Sequence, residues 1–344
     1  MNNLNRMEKV KVRNQLGDDK LLKRIEYVVF KMTTELERIC EDASFMQEDL
    51  HRVLLAGGKR LRPILAYLSY CMAIEEGANS SLDNKSYDNE KIIPLMSMLE
   101  LMHTTSLIHD DVVDGSDKRR GVKTINKTSG NDSAVKSGDF LLAKAMEKLK
   151  NYRGTGINEE LADISAEMCR GELNQLLLRN NINEQNEYNY YLCIKRKTAG
   201  LIAGSCYCGA LAAGMPKEDA LALKYFGERF GMAFQIRDDI QDYTSEESTG
   251  KNGGQDIKNG ILTLPVLLAK SEMNEELTAI LEKNDKSKQE ELLVKDFVRN
   301  SNAITQAEAK TKTLCGEAIA FLDSYQDSSY KNALIKMVNT FAII

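Results

Sequence analysis

The chain has 344 residues, of which 42% are hydrophobic and 28% charged, so it holds enough apolar sequence for one large domain or two ordinary ones. Its formal net charge of −5 argues against nucleic acid as the main partner, and no apolar run is long enough to span a bilayer. The seven Cys and three His residues show no zinc-site spacing, and without a signal peptide they indicate reduced thiols in the cytoplasm.

Helical periodicity runs through most of the chain. Apolar residues recur at three- and four-residue steps, for example from Leu95 to His109 and from Phe226 to Ile240. Alternating β-type runs are hard to find. Polar breaks that separate helices, none of which resembles a domain linker, occur at residues 77–89, 180–188, 244–260 and 283–289. We therefore expect one all-α domain over residues 1–344, a bundle of ten or more helices around a central cavity.

The first charged motif is the run GGKRLRP at residues 57–63. Its two glycines allow a ligand to approach the backbone, and Pro63 suits the first turn of a helix. Lys59 and Arg62 are three residues apart and can bind one phosphate together. Lys59 supplies a point charge, and Arg62 can form a bidentate contact. Taken alone, the run is equally well interpreted as a basic turn before a solvated helix.

Two matching acidic clusters occur further along, DDVVD at residues 110–114 and DDIQD at residues 238–242, and each is predicted to end a long helix. Carboxylates four residues apart lie on one helical face, about 6 Å apart along the axis. Grouping them is electrostatically costly unless a cation binds between them. Two such clusters, far apart in sequence, predict one cavity in which Mg²⁺ ions bridge the protein and a polyphosphate.

Polar residues near the first cluster are candidates for ligand binding. His103 lies two helical turns before Asp110 on the same face, although a lone His is more often a hydrogen-bonded core residue. The run DKRRG at residues 117–121 places two arginines just after the carboxylates, where they could supply the cations that a diphosphate needs. A charged surface loop is the weaker interpretation of this run.

The second cluster has its own polar neighbours. The run KRKTAG at residues 195–200 contains Lys197 and Thr198, and on its own it would favour a solvated helix face. Gln235 lies three residues before Asp238 and is therefore close to it on a helix. Gly250 and Lys251 follow the cluster and add a further basic group.

Together these motifs resemble those of the trans-isoprenyl diphosphate synthases, the polyprenyl synthetase family, over about residues 45 to 270. The combination of both Asp motifs with the GGKRLRP and RRG runs is highly specific. The resemblance implies an isoprenoid synthase fold and a prenyltransferase that condenses isopentenyl diphosphate with an allylic diphosphate. The Mg²⁺-dependent reaction passes through an allylic carbocation and gives a trans polyprenyl diphosphate, which we expect to be longer than geranylgeranyl.

The resemblance also assigns roles to individual residues. The ligands of three Mg²⁺ ions on the allylic diphosphate are Asp110, Asp111, Asp114, Asp238, Asp239 and Asp242. The residues that hold isopentenyl diphosphate are Lys59, Arg62, His103 and Arg120, and Gly58 is a further substrate-binding residue. Those that hold the allylic diphosphate are Arg119, Lys197 and Lys251, and those near the reacting carbons are Thr198 and Gln235. The expected catalytic set consists of Asp110, Asp111, Asp114, Asp238, Asp239, Lys197, Thr198 and Gln235.

One position departs from the family pattern. Many members have a Lys after the Gly in the run before Thr-Leu-Pro, and this chain has Ile261 there. The change puts one diphosphate contact of the family in question. Some long-chain members look similar at this place, so the difference is not evidence of inactivity.

The length of the product depends on residues one helical turn before the first cluster. In the family, bulky aromatic side chains four and five residues before the first Asp stop the growing tail at farnesyl length. Here those positions are Ser106 and Thr105, which leave the path open. A larger residue further down, such as Phe140, Leu141 or Leu176, is the alternative stop.

Three other functions share part of this pattern. A short-chain farnesyl or geranylgeranyl diphosphate synthase would differ only in tunnel length. A terpene cyclase shares the fold and one Asp motif, but it lacks the isopentenyl-binding set. A non-catalytic subunit of a heteromeric synthase would not need two complete Asp motifs. We expect a homodimer, with a catalytic subunit bound to a small partner as the alternative, and at most peripheral contact with a membrane.

Overall fold

The computed structural model describes residues 18–77, 89–244 and 255–341, and these are almost entirely helical, which confirms the predicted all-α class. The helices are α1 (Asp19–Glu41), α2 (Gln47–Leu54), α3 (Leu61–Gly77), α4 (Asn89–Val113), α5 (Ile125–Ser129), α6 (Asn131–Lys148), α7 (Ile157–Leu178), α8 (Glu187–Ile194), α9 (Gly200–Ala212), α10 (Lys217–Thr244), α11 (Gln255–Lys258), α12 (Leu264–Ala269), α13 (Glu275–Glu282), α14 (Lys288–Asn300), α15 (Ala303–Phe321) and α16 (Ser329–Phe341).

Short irregular elements complete this part of the chain. A π-helical turn at Lys195–Ala199 joins α8 to α9, and a two-stranded hairpin pairs β1 (Lys118–Arg119) with β2 (Val122–Lys123). The predicted breaks at 180–188 and 283–289 do separate helices, whereas residues 78–88 and 245–254 lie outside the described residues. Among the described helices, none is long and apolar enough to cross a membrane.

The chain divides into two compact units. Unit 1 takes the described residues within Met1–Leu161, Gly204–Lys224 and Asp323–Lys336, and unit 2 takes those within Ala162–Ala203, Tyr225–Leu322 and Met337–Ile344. The chain passes from one unit to the other within α7, α9, α10 and α16, and just after α15. That the whole chain is one functional domain stays a prediction.

Unit 1 is organised around α4, which packs along α6 and against α3 and α1. From Leu95 to Met102 every side chain of α4 is buried, so the helix is enclosed on all sides rather than amphipathic. In α3, burial extends from Leu61 to Ala73. An enclosed helix fixes the position of whatever follows it, and α4 leads directly into the first acidic cluster.

Two hydrophobic clusters of the described residues lie in unit 2. One includes Tyr243, Leu262 and Val294, and the other includes Tyr190, Ile236 and Ile240. Of the aromatic residues predicted to lie on one face of α10, Phe226 and Phe230 are fully buried, with ring centroids 6.1 Å apart, and Phe234 is partly buried. These contacts hold α10 firmly up to the second acidic cluster.

Close helix packing in unit 1 depends on a glycine. A Cβ atom at Gly209 in α9 would lie 2.2 Å from the carbonyl oxygen of Ala66 in α3. Gly209→Ala should therefore lower the free energy of unfolding by about 1–3 kcal/mol, because backbone cannot move aside without separating the two helices. The midpoint of chemical denaturation measures this change.

The matched control is Gly316→Ala, in the interior of α15. Apart from the adjacent backbone of α15 itself, no atom of the described residues lies within 4 Å of the Cβ position at Gly316, so this substitution should raise stability by about 0.5–1 kcal/mol. Equal stability of Gly209→Ala and the unmodified protein would contradict the packing described for α3 and α9.

Candidate active site

The first four residues of the GGKRLRP run form a strained basic loop, and the last three begin α3. Gly57 and Gly58 have φ angles of 94° and 123°, and Arg60 also lies in the left-handed region at 46°. The Arg60 guanidinium forms an ion pair with Glu100 of α4 and donates to the Leu54 carbonyl oxygen at 2.6 Å. Arg60 thus acts as the anchor of the loop, a role that the sequence did not reveal.

Arg120 joins this loop to α4. Its Nη1 donates to the Gly57 carbonyl oxygen at 2.9 Å, and its Nη2 lies 3.4 Å from His103 Nε2. A Cβ at Gly58 would lie 2.9 Å from Arg120 Nη1, and the φ of 123° is also one that favours glycine. Gly58, His103 and Arg120, which were all predicted to bind substrate, are therefore neighbours.

Arg62 and His103 are basic groups in an environment that disfavours their charge. Burial lowers the pKa of Arg62 to about 10, with Glu100 opposing the change and Arg120 adding to it. Loss of solvation, followed by the nearby guanidinium groups of Arg62 and Arg120, holds the pKa of His103 well below its usual range. His103 is therefore a neutral imidazole, and the buried Arg62 Nε has no hydrogen-bond partner among the described residues.

The first acidic cluster lies at the carboxyl end of α4. Asp110 and Asp111 are in the last turn, and Asp114 follows the helix with its N–H still bonded to the Asp110 carbonyl oxygen at 2.8 Å. Gly115 ends the helix with a φ of 61°, the usual left-handed termination. The predicted position of the carboxylates at a helix end is correct.

Asp111 is bound by the hairpin. Arg119 Nε and Nη2 lie 2.7 Å and 2.6 Å from its Oδ1, and Arg120 and Gly121 form the two-residue turn with φ angles of 51° and 80°. Burial raises the pKa of Asp111 and the Arg119 charge opposes that rise. Arg119, which the sequence assigned to a diphosphate, is here the counter-ion of a predicted metal ligand.

The two residues expected to set product length differ in environment. Thr105 is buried against α6, where its Oγ1 donates to the Gly138 carbonyl oxygen at 3.3 Å. Ser106 is only partly buried and its Oγ bonds to the His103 carbonyl oxygen within the same helix. Gly138 itself is overlaid by the His109 ring, since a Cβ there would lie 2.2 Å from His109 Nε2. The two positions are therefore not equivalent.

The alternative stops also differ. Leu141 is fully buried in α6 and Phe140 is partly buried, with Lys144 Nζ 5.6 Å from its ring centroid. Leu176 of α7 is instead exposed on the surface of the chain. Of these three side chains, that of Leu141 is the one that is fully buried.

In unit 2, Lys197 lies in the π-helical turn and faces α7. Its Nζ lies 2.5 Å from Gln175 Oε1 and 2.8 Å from Glu172 Oε2. Gly171 makes room for this side chain, because a Cβ there would be 2.8 Å from Lys197 Cγ. The widened turn at a polar site agrees with the general occurrence of π-bulges at functional positions.

A continuous hydrogen-bond network connects the other predicted residues of unit 2. Thr198 Oγ1 donates to Gln235 Oε1 at 2.8 Å, and Gln235 Nε2 donates to Asp239 Oδ1 at 2.8 Å. The Tyr190 hydroxyl donates to Asp239 Oδ2 at 2.6 Å. Thr198, Gln235 and Asp239 were predicted from the sequence, whereas Tyr190 was not.

Asp239 of the second cluster has a strongly perturbed carboxyl group. Burial raises its pKa well above the usual range, and the nearby Asp256 adds to the rise. The hydrogen bonds from Tyr190 and Gln235 act in the opposite direction. Asp256 is a second residue that the sequence pattern did not indicate, although it lies in the first turn of the short helix α11 after the cluster.

The acidic clusters suit a divalent cation completed by a ligand. Among residues 18–77, 89–244 and 255–341, no three His, Cys, Asp or Glu side chains come together closely enough to bind a metal alone. Mg²⁺ commonly uses one or two carboxylates with phosphate oxygens and water. Both clusters also lie at the negative ends of long helices, where a cation is favoured. The donor set therefore fits Mg²⁺ held jointly with a phosphate group.

Most predicted site residues lie in two local groups, one in each unit. The first includes Gly58, Arg62, His103 and Arg120 together with the first cluster, and the second includes Lys197, Thr198, Gln235 and the second cluster. Lys59, Asp110, Asp114, Asp238 and Asp242 lie in the same segments, and Lys251 lies outside the described residues. The residues that the sequence analysis missed can be related to the motifs only once the structure is known. Tyr190, for example, lies seven residues before Lys197.

Known proteins share both the sequence and the fold. The chain is 36% identical over 293 residues to heptaprenyl diphosphate synthase component 2 of Geobacillus stearothermophilus, covering 84% of this chain and 87% of that protein. It is 30% identical over 312 residues to octaprenyl diphosphate synthase of Escherichia coli strain K12, covering 88% and 91%. The crystal structure of polyprenyl synthase from Caulobacter crescentus CB15 complexed with calcium and isoprenyl diphosphate superposes with a TM-score of 0.84, at 29% identity over 94% of this chain and 96% of that one.

The family profile described as Polyprenyl synthetase matches residues 44–299, which span all the motifs above. Because this match covers most of the chain, and the relatives agree over nearly its whole length, the chain belongs to the polyprenyl synthetase family.

Proposed function

We propose that this chain is a trans-prenyltransferase that condenses isopentenyl diphosphate with an allylic diphosphate and releases a polyprenyl diphosphate longer than geranylgeranyl. The observation that carries the proposal is the basic group formed by Arg62, His103 and Arg120 beside the acidic end of α4. Relatives named heptaprenyl and octaprenyl diphosphate synthase support a long-chain product.

The basic group is suited to a diphosphate that arrives without a metal. Arg62 is buried, its Nε has no partner in the described part of the chain, and its pKa is lowered by burial. An anion that accepts a hydrogen bond from this nitrogen would satisfy the buried donor and would also stabilise the buried positive charge. The neutral His103 adds a hydrogen bond without a charge, and we assign this site, with Gly58 and Lys59, to isopentenyl diphosphate.

The acidic clusters are assigned to Mg²⁺ bound with the allylic diphosphate, as the family resemblance implies for Asp110, Asp111, Asp114, Asp238, Asp239 and Asp242. The Caulobacter polyprenyl synthase, which was crystallised as a complex with calcium and isoprenyl diphosphate, supports a divalent cation for this family. Three Mg²⁺ ions are proposed by the same resemblance. Arg119, Lys197 and Lys251 complete the set for the allylic diphosphate, and Ile261 supplies no charge to it.

Catalysis depends mainly on electrostatic stabilisation of the leaving diphosphate and on positioning of the two substrates. When bound, Mg²⁺ neutralises the charge that develops on the leaving diphosphate. The carbon–oxygen bond of the allylic substrate breaks, the double bond of isopentenyl diphosphate forms the new carbon–carbon bond, and the released diphosphate takes the proton. Thr198 and Gln235, fixed by their mutual hydrogen bond, offer an oriented dipole near the reacting carbons. Lys197 and the arginines position substrates and are not nucleophiles.

We also propose that two copies of the chain form a homodimer. Leu173, Leu176 and Leu177 form an exposed apolar stripe on α7 in unit 2, and Leu177 is 78% exposed. Val135, Leu142 and Met146 form another on α6 in unit 1. Exposed apolar side chains grouped on one helix are typical of protein contact surfaces. The name "component 2" of the Geobacillus relative makes a small second subunit the alternative occupant.

Activity should require a divalent cation and both clusters. The purified protein, given labelled isopentenyl diphosphate, farnesyl diphosphate and Mg²⁺, should make products longer than geranylgeranyl diphosphate and stop when EDTA is added. Asp110→Ala and Asp238→Ala should each lower turnover by about a hundredfold or more, since each removes charge stabilisation at the leaving group. Asp285→Ala, which removes a carboxylate outside both clusters, is the control, and full turnover in EDTA would rule out the proposed reaction.

Arg62→Ala should raise the KM for isopentenyl diphosphate by at least about tenfold and leave the KM for the allylic substrate nearly unchanged. The loss of a bidentate phosphate contact costs roughly 2 kcal/mol. Arg62→Lys keeps the charge but loses the bidentate contact, so its KM for isopentenyl diphosphate should lie between those of the unmodified protein and Arg62→Ala. Steady-state kinetics with each substrate varied in turn give both constants, and equal changes for the two substrates would contradict the assignment.

Ser106 is the position at which product length should respond most clearly to a larger side chain. Ser106→Phe should shorten the product towards farnesyl or geranylgeranyl length, because a partly exposed position four residues before Asp110 can accept a ring. Thr105→Phe should lower thermal stability as well, since it presses the ring against α6 at Gly138. Chromatography of labelled products reads the length, and an unmodified enzyme that already stops at farnesyl diphosphate would end the long-chain proposal.

A further inference from the structure

Tyr190 makes a short hydrogen bond to the second acidic cluster. Its hydroxyl lies 2.6 Å from Asp239 Oδ2, and the two residues are 8% and 5% exposed. Tyr190 belongs to α8 and packs in the same core as Ile236 and Ile240 of α10. The ring is therefore fixed by apolar contacts, and its hydroxyl is held against the carboxylate.

The proton positions along the network follow from chemistry. Gln235 accepts from Thr198 through Oε1, so its amide nitrogen must be the atom that donates to Asp239 Oδ1. A tyrosine hydroxyl next to a carboxylate oxygen donates. Both oxygens of Asp239 thus receive one neutral donor each, and each keeps a lone pair for a further partner. The arrangement fixes the plane of the carboxylate without neutralising it.

We propose that Tyr190 is a positioning residue for the metal site of the second cluster: it holds the Asp239 carboxylate in the orientation that binds Mg²⁺. This inference rests on the proposed function, which assigns Asp239 to Mg²⁺, and it adds a residue outside the acidic motif. Hydrogen-bond partners behind metal ligands commonly change metal affinity by about 10–100-fold when removed. Tyr190 acts through Asp239 rather than on substrate.

A purely structural role is the competing interpretation, because a buried tyrosine needs some partner for its hydroxyl. The two roles predict different measurements. A structural tyrosine changes the melting temperature of the metal-free protein and leaves the affinity for Mg²⁺ unchanged. A positioning tyrosine changes the affinity for Mg²⁺ whatever happens to the metal-free melting temperature.

The chain supplies a matched control in the next residue. Tyr191 is half-buried, and its ring contacts that of Tyr190 edge to face with centroids 5.6 Å apart. Tyr190→Phe and Tyr191→Phe remove the same atom from adjacent rings, and only the first removes a bond to Asp239. Mg²⁺ is titrated into each protein in the presence of inorganic diphosphate, and binding is followed by calorimetry and by the rise in melting temperature over the metal-free value.

Tyr190→Phe should weaken Mg²⁺ binding by at least about tenfold, and Tyr191→Phe should bind as the unmodified protein does. The same factor should appear in the Mg²⁺ concentration for half-maximal turnover, with the KM for isopentenyl diphosphate unchanged. In an Asp239→Asn background, Tyr190→Phe should have no further effect on Mg²⁺ binding, as expected for residues acting as a unit.

The outcomes separate the two proposals. An unmodified protein that binds Mg²⁺ with diphosphate but forms no prenyl product would overturn the proposed function. The Mg²⁺ titrations of Tyr190→Phe and Tyr191→Phe would still decide the role of Tyr190. Equal Mg²⁺ affinity for Tyr190→Phe and Tyr191→Phe overturns the inference about Tyr190 alone. An effect of Tyr190→Phe that persists in the Asp239→Asn background also overturns it, because the hydroxyl would then act elsewhere.

Discussion

Charged side chains with little access to water control the organisation of both units. A buried charge must be paired, hydrogen-bonded or supplied with a ligand, because its loss of solvation is otherwise too costly. In unit 1, Glu100 is compensated by Arg60 and Asp111 by Arg119. The loop before α3 and the β-hairpin are held by these pairs, so the basic group around Arg62 and His103 depends on them for its position.

The two acidic clusters meet this requirement differently. Asp111 has a cation as its partner, whereas the hydrogen-bond partners of Asp239 are the neutral side chains of Tyr190 and Gln235. Asp239 therefore has the greater need for a cation, and the negative end of α10 adds to it. Asp111 and Asp239 occupy the same place in the similar sequences DDVVD and DDIQD, and among the described residues their partners differ in charge. The surroundings of each motif, rather than the motif itself, determine this difference.

The helical class, the positions of the acidic clusters at helix ends and the polar breaks could be predicted from the sequence, because they depend on periodicity and local chemistry. The ion pair of Arg60 with Glu100 and the bond of Tyr190 to Asp239 could not, because each joins residues 40 or 49 positions apart. The different environments of Thr105 and Ser106 also depend on where α6 lies. Spacing along one helix identifies a face, but the neighbouring helix decides what that face contacts.

The pair formed by Arg119 and Asp111 has a consequence for ligand binding. Under the proposed function, a magnesium diphosphate brings an anion for the arginine and a cation for the carboxylate at the same moment. Binding is then an exchange of partners between two ion pairs, so neither protein charge is left uncompensated when the original pair separates. Before the ligand binds, the ion pair between Arg119 and Asp111 holds the hairpin in place. Both charged groups are therefore already positioned at the site where the ligand would bind.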